Sequence, residues 1–169
     1  MNILAIDPSG NFEEGKGTSG FCFWDCQMCK PIHVFQIRAS DFKTKEEYWQ
    51  AHLEQIDFYK NKYDSLIIII EDFTLNPNKA MQQSHSHMET PKLIGILQLH
   101  CAQHKAPYHM QQPAQVKNRW ADHVLVHRHV LVQRGKHFYL PNAIKPINDH
   151  CRDAIRHAIH FDLFKNGRI

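Results

Sequence analysis

Residues 2–10 of the chain read NILAIDPSG. Positions 3–6 form an apolar run of strand length, and Pro8 and Gly10 end it. The pattern predicts a buried first strand over residues 2–7, with Asp7 at its carboxyl end. A carboxylate held there by rigid backbone suits a metal ion or a phosphate group. Taken alone, an acid at the end of a strand is more often a solvated turn residue than a ligand.

A second strand of the same design ends in Glu71, after the apolar run of residues 66–70. Its unbroken apolar character predicts burial on both faces, which is typical of parallel pairing in a sheet covered by helices. A last helix is predicted from residue 148 or 149 to about residue 164. His150 and Asp153 are three residues apart on it and therefore share one face.

The remaining pattern predicts an α/β domain with a ribonuclease H-like fold, in the order β-β-β-α-β-α-β-α. Its core would be a five-stranded mixed sheet, the first three strands antiparallel, flanked by helices. Strands are expected at residues 2–7, 21–24, 32–37, 66–71 and 107–111. Helices are expected at 45–62, at 113–122 and at the C-terminal end, and another begins at Thr90, with Thr90 as its candidate N-cap and Pro91 at its first position. Residues 124–140 fit helix or strand equally.

Composition favours one domain over residues 1–169, because the 169 residues are 43% hydrophobic and show no repeat or linker. No segment approaches the ~18 consecutive apolar residues of a membrane span. Five cysteines without a secretory signal fit a reducing compartment, so a cytoplasmic protein is expected. Fourteen histidines, a net charge of +3 and basic residues concentrated in the C-terminal half mildly favour a polyanionic partner.

Carboxylates on rigid elements are typical ligands of hard divalent cations such as Mg²⁺. Two such ions ~3.5–4 Å apart can activate a water and stabilise the leaving oxygen in phosphodiester cleavage. Because clustered carboxylates repel one another without cations, the pattern indicates a metal site. Asp72 and Asp149 adjoin the candidate ligands and remain rivals, although Asp149 also suits a helix N-cap.

Several motifs together resemble the RuvC-like Holliday-junction resolvases of the ribonuclease H superfamily, and the short chain looks like their phage and prophage branch. The matching pieces are IDPSG at 6–10, TSGF at 18–21, IIEDF at 69–73, QVK at 115–117 and HCRDA at 150–154. The resemblance implies a catalytic, metal-binding tetrad of Asp7, Glu71, His150 and Asp153. It also implies two Mg²⁺ or Mn²⁺ ions per active site, and a homodimer that cuts four-way junctions and other branched DNA by paired hydrolysis.

The same resemblance implies DNA contacts around that tetrad. Lys117 would bind a phosphate and Phe73 would approach unstacked bases, with Arg119, Arg152 and Arg156 as further basic contacts. His157 and His160 are expected to face solvent or DNA rather than a metal. The chain departs from the family pattern after QVK, where NRW replaces a Gly-rich stretch.

Other functions remain open. An RNA-processing nuclease of the YqgF-like branch, or a nuclease acting loosely on branched or flap DNA, would keep the same site, and a non-catalytic junction-binding protein would keep the surface. The turn after Asp7 also resembles that of sugar-kinase-like phosphotransferases, but by fold analogy these need more than about 300 residues. Neither a nucleotide cofactor nor a membrane partner is expected.

Overall fold

A computed structural model describes residues 1–74 and 88–165 of the chain. The strands are β1 (Asn2–Asp7), β2 (Thr18–Asp25), β3 (Lys30–Arg38), β4 (Leu66–Glu71), β5 (Tyr108–Gln111), β6 (Val132–Arg134) and β7 (His137–Tyr139). The helices are α1 (Lys45–Lys62), α2 (Glu89–Gln103), α3 (Pro113–Arg119), α4 (Asp122–His127) and α5 (Asp149–His160). Phe161–Lys165 continues α5 as a π-helical turn, and Ala39–Asp41 is a 3₁₀ turn.

Strands β1 to β5 form one mixed sheet in the order β3-β2-β1-β4-β5, which confirms the predicted fold class. β1 pairs antiparallel with β2 and parallel with β4, while β3 is antiparallel to β2 and β5 is parallel to β4. As its unbroken isoleucine run predicted, β4 is buried on both faces. Ile68 and Ile70 pack into the core under α1 and α2, whereas Ile69 packs into the core under α5.

Two glycines let neighbouring elements approach the sheet closely. A Cβ on Gly20 of β2 would lie 2.2 Å from the backbone carbonyl of His150, so glycine allows the start of α5 to rest directly on the sheet. A Cβ on Gly10 would lie 2.2 Å from the backbone of Glu89 at the start of α2. The loop after Asp7 therefore packs directly on the start of α2, and β2 packs directly on the start of α5.

The structure corrects several predicted boundaries. Helix α2 begins at Glu89, so Thr90 lies inside its first turn and accepts a hydrogen bond from the Gly10 amide at 3.0 Å instead of capping the helix. The helix predicted at 113–122 is two helices, α3 and α4. The ambiguous segment 124–140 contains the end of α4 and a β6–β7 hairpin, where Gly135 adopts a φ of +60°.

Asn148 is the N-cap of α5, and its side chain accepts a hydrogen bond from the Cys151 amide at 2.8 Å. That bond satisfies one of the free amides at the helix start and sets the first turn, from which His150 and Asp153 project. Across residues 1–74 and 88–165, none of the helices has the length and apolar surface needed to cross a bilayer.

Candidate active site

Three carboxylates converge where β1, β4 and the first turn of α5 meet. Because β1 and β4 are parallel, Asp7 and Glu71 emerge from the same edge of the sheet. Strand alternation places Asp7 on the face of Ala5 and Glu71 on the face of Ile69, the side covered by α5. Asp153 meets them from the helix, and ligand oxygens of the three residues all lie within 4.8 Å of one another.

His150 contacts this cluster through Asp7 and lies outside the group of three. Its Nδ1 is 2.7 Å from Asp7 Oδ2, and its side chain is 41% exposed. The hydrogen bond to Asp7 raises the pKa of His150 above its usual value, although partial burial opposes the rise. Since Nδ1 is directed at Asp7, Nε2 is the nitrogen left for a cation or a proton.

The Asp7 carboxyl lies in an unfavourable place for a negative charge. It is 5% exposed, and burial raises its pKa from 3.8 to about 6. The hydrogen bond from His150 works against that rise, while the charges of Glu71 and Asp153 add to it. Burial and the two neighbouring carboxylates therefore disfavour the negative charge of Asp7, and a bound cation would offset both effects.

Lys117 supplies part of that charge. Its Nζ lies 3.0 Å from Glu71 Oε1 and 2.8 Å from Asp153 Oδ2. Burial lowers the pKa of Lys117, but the hydrogen bonds and charges of the two carboxylates outweigh this and raise it overall. The residue predicted to contact a DNA phosphate thus lies within the acidic cluster, with 38% of its side chain exposed.

His157 is the residue that sequence reasoning missed. Its expected orientation toward solvent or DNA is wrong, because the side chain is 0% exposed. Its Nε2 lies 2.8 Å from Glu71 Oε2, and its Nδ1 lies 2.8 Å from Gln111 Oε1 at the end of β5. The available signal was helical spacing, since position 157 follows Asp153 by one turn on the buried face of α5.

His160, grouped with His157 in the prediction, lies at the other end of this face. It is half-buried, and its Nδ1 accepts a hydrogen bond from Trp120 Nε1 at 3.3 Å. Its ring also stacks on Phe164, with centroids 5.1 Å apart. His160 therefore belongs to the packing of α5 against the end of α3.

Two of the arginines predicted to bind DNA belong to an ion-pair network beside the site. Arg156, 11% exposed, contacts the carboxylates of Asp153 and Asp122 and donates to the Trp120 carbonyl at 2.8 Å. Arg152, 14% exposed, lies 3.1 Å from Asp122 and 2.7 Å from Asp149. These contacts tie α5 to the start of α4.

Arg119 differs from the two arginines of α5 in its surroundings. It is exposed at the end of α3, and its guanidinium lies 3.7 Å from the centroid of the Phe164 ring. Its guanidinium edge is therefore accessible to a phosphate while its plane is held by the ring. For all three arginines, contact with DNA stays a prediction.

Neither rival acid joins the carboxylate cluster. The Asp72 carboxylate points away from it and accepts hydrogen bonds from the Phe73 backbone amide, at 2.9 Å, and from the side-chain amide of Gln112. Asp149 is 84% exposed and pairs with Arg152. The half-buried Phe73 lines a cleft of about 230 Å³ together with Glu71 and Lys117, so this cleft opens directly beside the acidic cluster.

The donor set fits a hard divalent cation. Asp7, Glu71 and Asp153 offer only carboxylate oxygens, the ligands that Mg²⁺ and Mn²⁺ prefer, and they are held on two strands and a helix. The raised pKa of Asp7 indicates the same need for a positive charge. The ligand roles of the tetrad stay predictions, and geometry brings all four residues to one place.

Comparison with known proteins places the fold. No protein-family model matches the sequence, and no curated protein matches it. Among solved structures, RuvC of Thermus thermophilus in complex with a Holliday junction substrate is similar, with a TM-score of 0.69 and 14% identity over 99% of this chain and 96% of that one. A second T. thermophilus RuvC structure has a TM-score of 0.63 and 15% identity, over 99% of this chain and 97% of that one. The chain therefore has the RuvC fold along nearly its whole length, as the motifs predicted.

Proposed function

We propose that this protein is a metal-dependent endonuclease that resolves Holliday junctions and other branched DNA by phosphodiester hydrolysis. The observation that carries the proposal is the convergence of Asp7, Glu71 and Asp153 within 4.8 Å, beside His150, at one edge of the sheet. The RuvC structure that shares this fold was solved with a junction substrate, which supports branched DNA as the substrate class.

The proposed cofactor is Mg²⁺ or Mn²⁺, two ions per active site. Asp7, Glu71 and Asp153 would hold the cations with carboxylate oxygens, and His150 would complete the set. When bound, such cations supply an acidified water and neutralise the charge that develops on the departing oxygen.

The side chains around the cluster have separate roles in this proposal. His150 holds its ring against Asp7 through Nδ1, which leaves Nε2 as the nitrogen that would bind a cation. Lys117 now pairs with Glu71 and Asp153, and with cations bound to these carboxylates its ammonium would be free to contact a DNA phosphate. The cleft that Phe73 lines beside Glu71 and Lys117 would place its ring next to the DNA that is cut.

In this proposal the protein acts as a homodimer, whose two active sites would cut two strands of the junction. DNA binding would weaken as the salt concentration rises, because it would depend on phosphate contacts from basic side chains. The candidates are Lys117, Arg119 and the exposed parts of Arg152 and Arg156.

A cleavage assay tests the proposal. Wild-type protein is incubated with a mobile four-way junction, a flap and a structured RNA, each with Mg²⁺, Mn²⁺ or EDTA. We expect symmetric nicks in the junction that EDTA abolishes. The double variant Asp7→Asn, Glu71→Gln should still bind the junction but cut it at least about 10³-fold more slowly, since removal of one key electrostatic group already costs that much in other enzymes.

The matched control is Asp72→Asn, which changes the acid next to Glu71 but lies outside the cluster. It should retain wild-type cleavage. Preferred cleavage of the RNA would favour the YqgF-like alternative, and tight junction binding without cleavage by wild type would favour a binding protein. Wild-type cleavage by the double variant would contradict the assignment of the site.

A further inference from the structure

A second group of metal-binding side chains lies on the other face of the sheet. It consists of Asp57 on α1 with His100 and His104 at the end of α2, and ligand atoms of all three lie within 4.8 Å of one another. His100 Nε2 is 2.8 Å from Asp57 Oδ1, and the two imidazole rings stack with centroids 4.2 Å apart. The proposed nuclease activity does not use this group.

The backbone holds these three residues in place. His100 and His104 are one helical turn apart, and the His104 amide donates to the His100 carbonyl at 3.0 Å, so their rings project from one side of α2. Leu97 and Cys101 anchor this part of α2 in the core at 0% exposure. Little ordering of the backbone would therefore be needed when a cation binds.

Helix α1 is fixed equally well on its side of the group. Ile56, next to Asp57, is 0% exposed, and Tyr59 is 4% exposed in the same core. The carboxylate of Asp57 is thus presented to α2 from a rigid turn. The two helices approach each other with the carboxylate and the imidazoles in between.

We propose that Asp57, His100 and His104 form a binding site for a transition-metal cation of the Zn²⁺ class, bridging α1 and α2. Two imidazole nitrogens and one carboxylate oxygen suit Zn²⁺, Co²⁺ or Ni²⁺, whereas Mg²⁺ prefers an all-oxygen set. Two histidines at this spacing on one helix face are an established way to hold zinc. Three protein ligands leave the fourth position to water.

Binding exchanges a proton for the metal. In the metal-free site a hydrogen lies between His100 Nε2 and Asp57 Oδ1, and the cation takes its place, so that the proton passes to solvent. His104 is exposed and gives the cation access, while His100 is 11% and Asp57 36% exposed. The Lys60 ammonium donates to the His104 carbonyl and opposes binding by its charge.

The neighbouring thiol does not belong to the ligand set. Cys101 is 0% exposed, and burial raises its pKa to about 11, so it is not available as a thiolate. The site is therefore distinct in chemistry from cysteine-based zinc sites. Its effect on the protein would be to clamp α1 to α2, since a cation bound only by the folded state stabilises that state.

The test is a Zn²⁺ titration against a chromophoric chelator, with excess Mg²⁺ present to occupy the carboxylate cluster. The wild-type protein should bind Zn²⁺, and long-range ¹H–¹⁵N spectra should show ring-nitrogen shifts at His100 and His104. The double variant His100→Gln, His104→Gln should bind at least about tenfold more weakly, the loss that removing even an indirect partner of a metal ligand causes. Zn²⁺ should raise Tm more in wild type than in the variant.

The matched control is the pair His123→Gln, His127→Gln. These exposed histidines have the same spacing on α4, and within the described residues no third metal-binding side chain joins them. The control should bind Zn²⁺ like wild type. If the double variant misfolds, Asp57→Asn provides an independent test, and this variant should also bind Zn²⁺ more weakly. The proposal would be overturned by an unchanged Zn²⁺ affinity in the folded His100→Gln, His104→Gln protein or in the folded Asp57→Asn protein. Loss of the tightest Zn²⁺ site in the control would also overturn it.

Discussion

The imidazole of His157 lies 2.8 Å from the Glu71 carboxylate, with Nε2 facing Oε2, and is completely buried. Its Nδ1 contacts Gln111 at the end of β5, so both ring nitrogens are held. His157 of α5 therefore fixes one oxygen of the Glu71 carboxylate, while Lys117 contacts the other. Partners of this kind reduce the reorganisation that a ligand carboxylate needs when a metal binds.

Replacing His157 should loosen Glu71. In His157→Leu the carboxylate loses the partner of one oxygen, and we expect Mn²⁺ to bind about 10–100-fold more weakly, with a similar loss of junction cleavage. His157→Gln, which can still donate a hydrogen bond, should recover part of both. Calorimetric Mn²⁺ titration of each folded variant measures the first effect independently of activity.

His160→Gln is the control for this prediction, because His160 lies on the same helix and contacts Trp120 rather than the cluster. Its Mn²⁺ affinity should equal that of wild type. A folded His157→Leu protein with unchanged Mn²⁺ affinity would show that Glu71 needs no support from α5.

Removing the Lys117 ammonium should have opposite effects on metal and on DNA. The ammonium competes with cations for Glu71 and Asp153, so Lys117→Met should bind Mn²⁺ several-fold more tightly, about 1 kcal/mol after allowing for its partial exposure. The same variant should cut junctions more slowly, and its binding should depend less steeply on salt. Weaker Mn²⁺ binding would instead make Lys117 a support of the ligand geometry.

The buried His52 should make the protein sensitive to acid. Its Nε2 contacts Ser19 Oγ at 2.8 Å, its Nδ1 contacts the Tyr48 carbonyl, and burial lowers its pKa from 6.5 to about 4. The unfolded chain therefore binds a proton between pH 6.5 and 4 that the folded chain does not. This contribution to stability is complete above pH 6.5 and falls by up to about 3 kcal/mol as the pH drops to 4.

In His52→Gln this loss should disappear. Urea denaturation at several pH values between 7 and 4 would give the difference in unfolding free energy between wild type and variant, and that difference should shrink as the pH falls. Taking the difference removes the opposite trend of Asp7, whose raised pKa lowers stability as the pH rises from 3.8 to about 6. Parallel pH curves would rule out a neutral buried histidine at this position.

Adding a methyl group at Gly20 should displace the first turn of α5. The new Cβ would lie 2.2 Å from the His150 carbonyl, so Gly20→Ala should cost roughly 1–3 kcal/mol of stability and separate His150 and Asp153 from Asp7. Gly95→Ala is the control, because that position in α2 has open space and should gain roughly 0.5–1 kcal/mol. Thermal unfolding and cleavage of both variants check this; an active, stable Gly20→Ala protein would contradict it.

Local properties of the chain were enough to predict much of the fold and of the site. Apolar runs ending in acids identified β1 and β4 with Asp7 and Glu71, because strand burial and its termination are set by adjacent residues. Helical spacing put His150 and Asp153 on one face for the same reason. The limits of α1 agree with the prediction. Its start is set locally, because the Thr44 side chain caps the helix by accepting a hydrogen bond from the Glu47 amide. Where caps and periodicity were weak, as at residues 124–140, boundaries were wrong or undecided.

Which charges pair was decided only by tertiary packing. Lys117 meets Glu71 across 46 positions of sequence, and His157 meets the same carboxylate across 86. Likewise, Asp57 reaches His100 only because α1 and α2 pack on one face of the sheet. The positions of acids, strands and helix faces follow from neighbours along the chain, so they could be predicted without the structure. Burial, ion pairing and pKa depend on neighbours in space, which the assembled sheet and its two helical layers supply.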